Sequence, residues 1–191
     1  MFFQTTPIPP EYQLVIVNSN IQRGLVDGAY NTRRSECEQA AKIMGLESLR
    51  MADMALLDAH QASMSKTVFQ RARHVITENQ RTLDMFSALQ SNAYGRINEL
   101  MALSHVSMRD DFEITVPPID YLVDLMQAVV CDLGGVRMTG GGFGGCVVSL
   151  APNDAVPDIV AAVEQQYQQN TGIKESIYVC TAEQGAFAEA E

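Results

Sequence analysis

Two kinds of hydrophobic pattern alternate along the chain. Leu14-Val15-Ile16-Val17, inside the segment Tyr12 to Asn20, is a continuous apolar run that suits a strand buried on both faces. Asp27-Gly28 reads as a turn, and a helix is predicted from about Tyr30 to Met44, closed by Gly45. Its core side carries Cys37, Ala40, Ala41 and Met44 at helical spacing. Ser48 to Ala59 is helical in composition but poor in periodicity. Thr67 to Gln90 is long and amphipathic, with Val68, Ala72, Val75, Ile76, Leu83, Phe86 and Leu89 on one side. Asn92 is placed to cap a further helix to about Met108, apolar at Ile97, Leu100, Met101 and Met108.

Pro117-Pro118 opens a helix over Ile119 to Val130, because a proline in the first turn lacks only an N–H that has no partner there. Gly134 stops it. Val136 to Met138 and Cys146 to Leu150 read as strands, joined by Gly140 to Gly145, a run interrupted only by Phe143. Asn153 or Asp154 caps a last helix carrying Val156, Ile159, Val160, Val163 and Tyr167, and Gly172 ends it. Ser176 to Thr181 is the final strand. This order predicts an α+β fold: a ferredoxin-like antiparallel sheet, β-α-β-β-α-β, with helices inserted after the first strand. Pro7, Pro9 and Pro10 make residues 1–11 an irregular lead-in, and a compact unit that opens on a core strand suggests further chain upstream. Residues 186–191 are expected to be a frayed tail.

With 191 residues the chain needs no staples to hold a core. Its formal charge is −10, from 13 basic and 23 acidic side chains, and the basic ones are scattered. That argues against a nucleic-acid or anionic-membrane surface. Cys37, Cys131, Cys146 and Cys180 form no C-x-x-C pair and have no histidines at zinc spacing, so reduced thiols are expected. With no basic leader and no long apolar stretch, no signal peptide or membrane span is read, and a cytoplasmic protein is expected.

The glycines change the picture most. Five in six positions cost backbone entropy unless the chain must take left-handed angles or approach something closely. Gly140, Gly142 and Gly145 spell G-x-G-x-x-G, but a strand follows instead of a helix, and no Lys-Ser or Lys-Thr closes the loop. Neither a dinucleotide turn nor a Walker A element fits. Two readings remain: an anion-binding nest of main-chain amides, or a tight bulged hairpin whose glycines serve packing alone.

Other candidates are weaker. Ser104, His105, Asp110 and Asp111 suggest a hydrolytic triad, but adjacent helical side chains diverge by about 100° and cannot share one substrate. The two aspartates are expected to orient the turn into Glu113-Ile114-Thr115. His60 and His74 have no ligand spacing. Arg33 and Arg34 are expected to pair with Glu36 and Glu38, an anion being the alternative. Tyr30 suits either packing on the sheet or a sugar, which a ring and a hydroxyl can stack on and bond.

Five segments then point in one direction: Asn18 to Arg23 (NSNIQR), Ala29 to Arg34 (AYNTRR) with Cys37-Glu38, Arg71 to Asn79 (RARHVITEN), Ser104 to Thr115 (SHVSMRDDFEIT), and Arg137 to Cys146 (RMTGGGFGGC). In this order, from about Val15 to Gly185, they closely resemble the bacterial galactokinases of the GHMP small-molecule kinase superfamily. The resemblance implies transfer of the γ-phosphoryl group of MgATP to the anomeric hydroxyl of galactose. It covers only the C-terminal domain of that family, here residues 12–185. The galactose signature, the ATP phosphate loop, the magnesium-binding Glu and the catalytic Asp of the family's N-terminal half have no counterpart in this chain.

On the same resemblance, Tyr30 matches the tyrosine that contacts galactose. Thr139, Gly140, Gly141, Gly142, Phe143, Gly144 and Gly145 match the third superfamily motif, which lines the phosphate end of the site and supports the ATP loop. Arg137 either adds positive charge or serves the strand surface. No catalytic residue and no metal ligand is implied here, so ATP and Mg belong to the complete enzyme and should not bind this chain tightly. The implied partner is the N-terminal half or, through an orphaned apolar face, a second copy. A galactokinase-like sugar-sensing or regulatory binding module is the alternative.

Overall fold

A computed structural model describes residues 5–22 and 26–182. Among them, β1 (Tyr12–Asn18), β2 (Gly135–Thr139), β3 (Cys146–Pro152) and β4 (Ser176–Cys180) form one antiparallel sheet in the order β2-β3-β1-β4. Five helices stand between β1 and β2: α1 (Val26–Ile43), α2 (Met54–Ala59), α3 (Lys66–Gln90), α4 (Tyr94–Asp110) and α5 (Pro117–Val130). The sixth, α6 (Val156–Thr171), links β3 to β4. This is the ferredoxin-like order with inserted helices that the hydrophobic pattern predicts.

The apolar run of β1 is central, flanked by β3 and β4. Register sets Val17 beside Val147, and Val147 beside Met138. These side chains share one face with Val15 and Val136, and all five are fully buried. Ile119, Leu122 and Met126 of α5 and Ile159, Val163 and Tyr167 of α6 cover that face and are buried as completely. At about 1.5–3 kcal/mol for each large apolar side chain withdrawn from water, this layer dominates the stability. The opposite face packs Leu14, Val148 and Leu150 against Ala88 of α3 and Ile97, Leu100 and Met101 of α4. A separate cluster joins Ala40, Ala41, Leu57, Val68, Ala72 and Ile76 of α1, α2 and α3.

Several local expectations are corrected. Asp27-Gly28 lies inside the first turn of α1, which begins at Val26. Ser48 to Ala59 is not one helix: a single 3-10 turn at Leu49–Met51 precedes α2. The break falls at Asp53, whose extended backbone lets its carboxylate cap the Leu56 N–H at 2.8 Å. Asn92 does not cap α4; it takes φ +51 after the end of α3, and Ala93 holds the cap position without a side-chain bond. Neither Asn153 nor Asp154 caps α6, which starts after Ala155 with a proline in its first turn. Asn153 instead donates from its carboxamide to the Pro10 carbonyl and from its N–H to the Glu11 carbonyl, both at 2.9 Å, fastening the lead-in to the sheet.

Leu83 is 64% exposed rather than buried. It continues the stripe of Val68, Ala72 and Ile76, but beyond Ile76 the helix changes neighbours and buries Met85, Ala88 and Leu89 instead. All four cysteines are free, Cys131 exposed and the other three partly buried. Among the described residues no helix is long and apolar enough to cross a membrane. The tail at 186–191 lies outside the described residues.

Candidate functional site

The loop between β2 and β3 is built on left-handed backbone. Gly140, Gly142, Gly144 and Gly145 have φ of +91, +83, +122 and +87, and Phe143 among them has +57. An L-residue at such angles costs about 1–2 kcal/mol, which explains the glycines and requires that Phe143 be held. It is: its N–H donates to the Ile114 carbonyl at 2.6 Å, and its ring packs against the main core. A Cβ on Gly142 would fall 2.5 Å from the same Ile114 oxygen. The Gly145 carbonyl accepts from the Ser19 N–H at 2.9 Å and from Ser19 Oγ at 2.8 Å.

The first half of the loop is different. Gly140 and Gly141 are exposed, and a Cβ on Gly141 would meet nothing within 4 Å. Among the described residues the N–H groups of both have no hydrogen-bond partner. The two readings of the loop therefore divide along it: Gly142 to Gly145 are seated by packing, while Gly140 and Gly141 leave amides free for an anion.

These free amides border a cavity of about 340 Å³. Thr139, Gly140, Gly141 and Phe143 line one part of it, and Tyr30, Arg33, His74, Glu78, Phe112 and Arg137 are among the residues that line the rest. Tyr30 is 59% exposed, so it does not spend its ring on the sheet. Of the residues weighed in the sequence, Tyr30, Thr139, Gly140, Gly141 and Phe143 meet at this cavity, together with Arg33, His74 and Arg137. Gly142 and Gly144 do not line it; Gly144 lies against Ile21, 3.2 Å from where its Cβ would stand. Gly145 borders a separate shallow hollow with Asn18, Asn20 and Cys146.

Sequence reasoning met the α3 wall only as a resembling segment, Arg71 to Asn79, and set His74 aside for want of ligand spacing. Arg71, His74 and Glu78 sit at i, i+3 and i+7, a polar line on the buried side of an amphipathic helix. That placement was the available signal. His74 stacks on Phe112 with ring centroids 4.3 Å apart, and its Nδ1 lies 3.0 Å from Ser107 Oγ. Burial pushes its imidazole down to about 4, so it is neutral at pH 7. Glu78 pairs with Arg81, lies 3.5 Å from Arg137, and accepts from Ser104 Oγ at 2.8 Å. Arg137 also donates to Ser104 Oγ at 2.7 Å, so its charge is matched by this cluster.

The hydrolytic constellation does not assemble. Ser104 faces Glu78, whereas His105 turns the other way, its Nε2 3.2 Å from Asp120 Oδ1. Asp110 pairs with Arg109, and Asp111 with Arg73 and Ser107. Arg33 and Arg34 meet Glu36 and Glu38 at 3.3 and 2.8 Å, as expected. Among the described residues no group of three or more His, Cys, Asp or Glu is placed to hold a metal ion.

Residues 85–169 match the family model described as GHMP kinases C terminal. Galactokinase of Haemophilus influenzae is 51% identical over 183 residues, covering 94% of this chain and 48% of that protein. The Pasteurella multocida galactokinase is 52% identical over the same shares. The chain thus spans about half the length of the curated relatives it matches. Among solved structures, Lactococcus lactis galactokinase complexed with galactose superposes on 88% of this chain and 45% of its own, at 35% identity and a TM-score of 0.82. L. major mevalonate kinase, at 15% identity and a TM-score of 0.57, shares the fold alone. In family model, in relatives and in fold, the chain is similar to GHMP kinase C-terminal domains, galactokinases among them.

Proposed function

We propose that residues 12–185 form the C-terminal domain of a cytoplasmic galactokinase, which transfers the γ-phosphoryl group of ATP to the anomeric hydroxyl of galactose, and that this chain alone does not turn over. One observation carries the proposal: an exposed tyrosine from the start of α1 and the partnerless amides of Gly140 and Gly141 border one cavity. A phenol beside bare amides suits a sugar lying next to a phosphate. Thr139 to Gly145 then form the wall at the phosphate end. Their second half is fixed by packing, so the amides are held in place before charge develops.

The carboxylate and the imidazole that line this cavity are already committed. Glu78 is its carboxylate, and that group serves Arg81, Arg137 and Ser104. His74 is buried and neutral, stacked on Phe112 rather than free to take a proton. The free amides fit the phosphates of ATP. Phosphoryl transfer depends on positioning and charge stabilisation, so the base, the metal site and the second phosphate loop fall to the N-terminal galactokinase half. Without that half, self-association is the other fate proposed for the chain.

A coupled assay for ADP release tests this. The chain alone should give no turnover with galactose and ATP; mixed with the N-terminal half of a galactokinase, it should regain galactose-dependent turnover. In the mixture, Tyr30→Phe should raise KM for galactose more than KM for ATP. Enzyme-like rates from the chain alone would overturn its assigned incompleteness. Equal effects of Tyr30→Phe on both substrates would remove that side chain from the sugar end.

A further inference from the structure

After α4 the chain makes a tight turn, Asp111 to Ile114, wedged between α1 and the glycine loop. Four successive carbonyls of this turn are taken. Asp111 O accepts from Arg71 Nη1, Phe112 O from Arg33 Nε at 2.6 Å, and Glu113 O from Arg33 Nη2 at 3.1 Å. Ile114 O accepts the Phe143 N–H of the loop at 2.6 Å. Two guanidinium groups therefore hold one side of the turn, and the loop is hung on the other.

We propose that Arg33 is a positioning residue which, through the turn at Phe112 to Ile114, sets the glycine loop in register with Tyr30. This rests on the functional reading above, in which Tyr30 marks the sugar end of the cavity and Gly140 and Gly141 the phosphate end. Arg33 stands one helical turn after Tyr30 on α1, so whatever fixes Arg33 fixes the root of that tyrosine. The path from Tyr30 to the loop runs through α1, the guanidinium, two carbonyls, one peptide unit and the Ile114–Phe143 bond. Each link is a covalent bond or a direct hydrogen bond.

Strain explains why a clamp is needed. Glu113 and Phe143, on either side of the Ile114–Phe143 bond, have φ of +51 and +57 without being glycine. Residues held in that region persist only when their surroundings over-determine them. Arg71, 2% exposed, supplies the rest of the restraint: its Nη2 lies 2.5 Å from Glu113 Oε2 and its Nε 2.9 Å from Glu36 Oε2. The same Glu36 oxygen lies 3.3 Å from Arg33 Nη1, so one carboxylate ties the two guanidiniums together. Only a planar fork serves two neighbouring carbonyls and a carboxylate at once. Lysine in place of Arg33 keeps the charge and loses the geometry.

Amide hydrogen exchange on the chain itself tests the clamp without reference to catalysis. In Arg33→Lys and Arg33→Gln, the Phe143 amide should exchange at least about ten-fold faster, the factor given by 1.4 kcal/mol of local stability. The amides of central strand β1 should be unchanged. Arg34→Gln is the matched control: Arg34 is exposed and among the described residues pairs only with Glu38, so no amide should respond. Unchanged Phe143 protection in both Arg33 variants would overturn the clamp. So would a Phe143 loss that merely tracks an equal loss in β1, since that reports general unfolding.

The second arm uses the chain reunited with an N-terminal half. There Arg33→Lys should lower kcat at least about ten-fold with smaller changes in either KM, because each end still binds and only their spacing is lost. An unchanged kcat alongside a deprotected Phe143 would overturn the positioning role. Should the wild-type mixture show no turnover, the functional reading falls, and the exchange measurement still decides the clamp.

Discussion

A methyl group at Gly142 would stand 2.5 Å from the Ile114 carbonyl oxygen and 2.6 Å from Ile114 Cβ. Both neighbours are stiff: one is backbone, the other the branch point of a buried side chain, so neither swings aside. The backbone angle, φ +83, adds about 1–2 kcal/mol for any L-residue. Relief requires the loop to lift from Ile114, releasing the Phe143 hydrogen bond, worth about 1 kcal/mol, and loosening its ring. Gly142→Ala is therefore expected to destabilise the fold by about 3 kcal/mol. Gly141 is the internal control, one residue away, with no atom within 4 Å of where its methyl would stand and φ outside the left-handed range. Alanine there should be neutral or stabilising by up to about 1 kcal/mol, through the unfolded chain. Urea titrations followed by circular dichroism compare the two: Gly142→Ala should lower the midpoint at unchanged slope and reduce Tm by roughly 6–12 °C. If the two variants unfold within about 0.5 kcal/mol of each other, the seat of the loop on Ile114 is not what fixes its shape.

Two further outcomes follow from buried titratable groups. His74, ordinarily near 6.5, is held down at about 4 by burial, so between those values the unfolded chain binds a proton that the folded chain refuses. Its contribution is complete above pH 6.5 and is lost as pH falls towards 4, amounting to about 2 kcal/mol of lost stability at pH 5. Urea midpoints at pH 7 and pH 5 measure this, and His74→Gln should remove most of the difference; an undiminished difference would refute it. Burial, then the nearby Glu36 carboxylate, raises the Cys37 thiol to about 11, leaving little thiolate at pH 8. Iodoacetamide followed by peptide mass spectrometry should find exposed Cys131 labelled well before Cys37, and equal rates would count against the burial of Cys37.

The sheet was legible because its strands obey one rule each. Leu14 to Val17 is apolar on both faces since helices cover both, and the β2–β3 hairpin announces itself by glycines between β-branched runs. Helix ends were less legible. Asn92 and Asn153 belong to types that cap helices, yet the same short carboxamides tolerate left-handed backbone or reach a distant carbonyl, and each takes the other option here. Of the residues that line the cavity, Tyr30 and the loop were singled out through resemblance and glycine chemistry. A turn into Glu113-Ile114-Thr115 was expected, but the role of its carbonyls was not, since every residue has one and no sequence displays what it binds. Arg33 was paired correctly with Glu36, but its two carbonyl partners lie about eighty positions further on.

The placement of β1 governs how the chain must be made. It precedes every other strand of its sheet along the chain yet sits inside that sheet: Tyr12 meets Pro152, Asn18 meets Cys146, and Leu14 meets Cys180. On a ribosome the central strand therefore emerges with both edges unsatisfied and waits while every helix but α6 is translated before its first neighbour arrives. Its Leu-Val-Ile-Val run is the sticky segment during that wait, and chaperone capture of nascent chains should concentrate there.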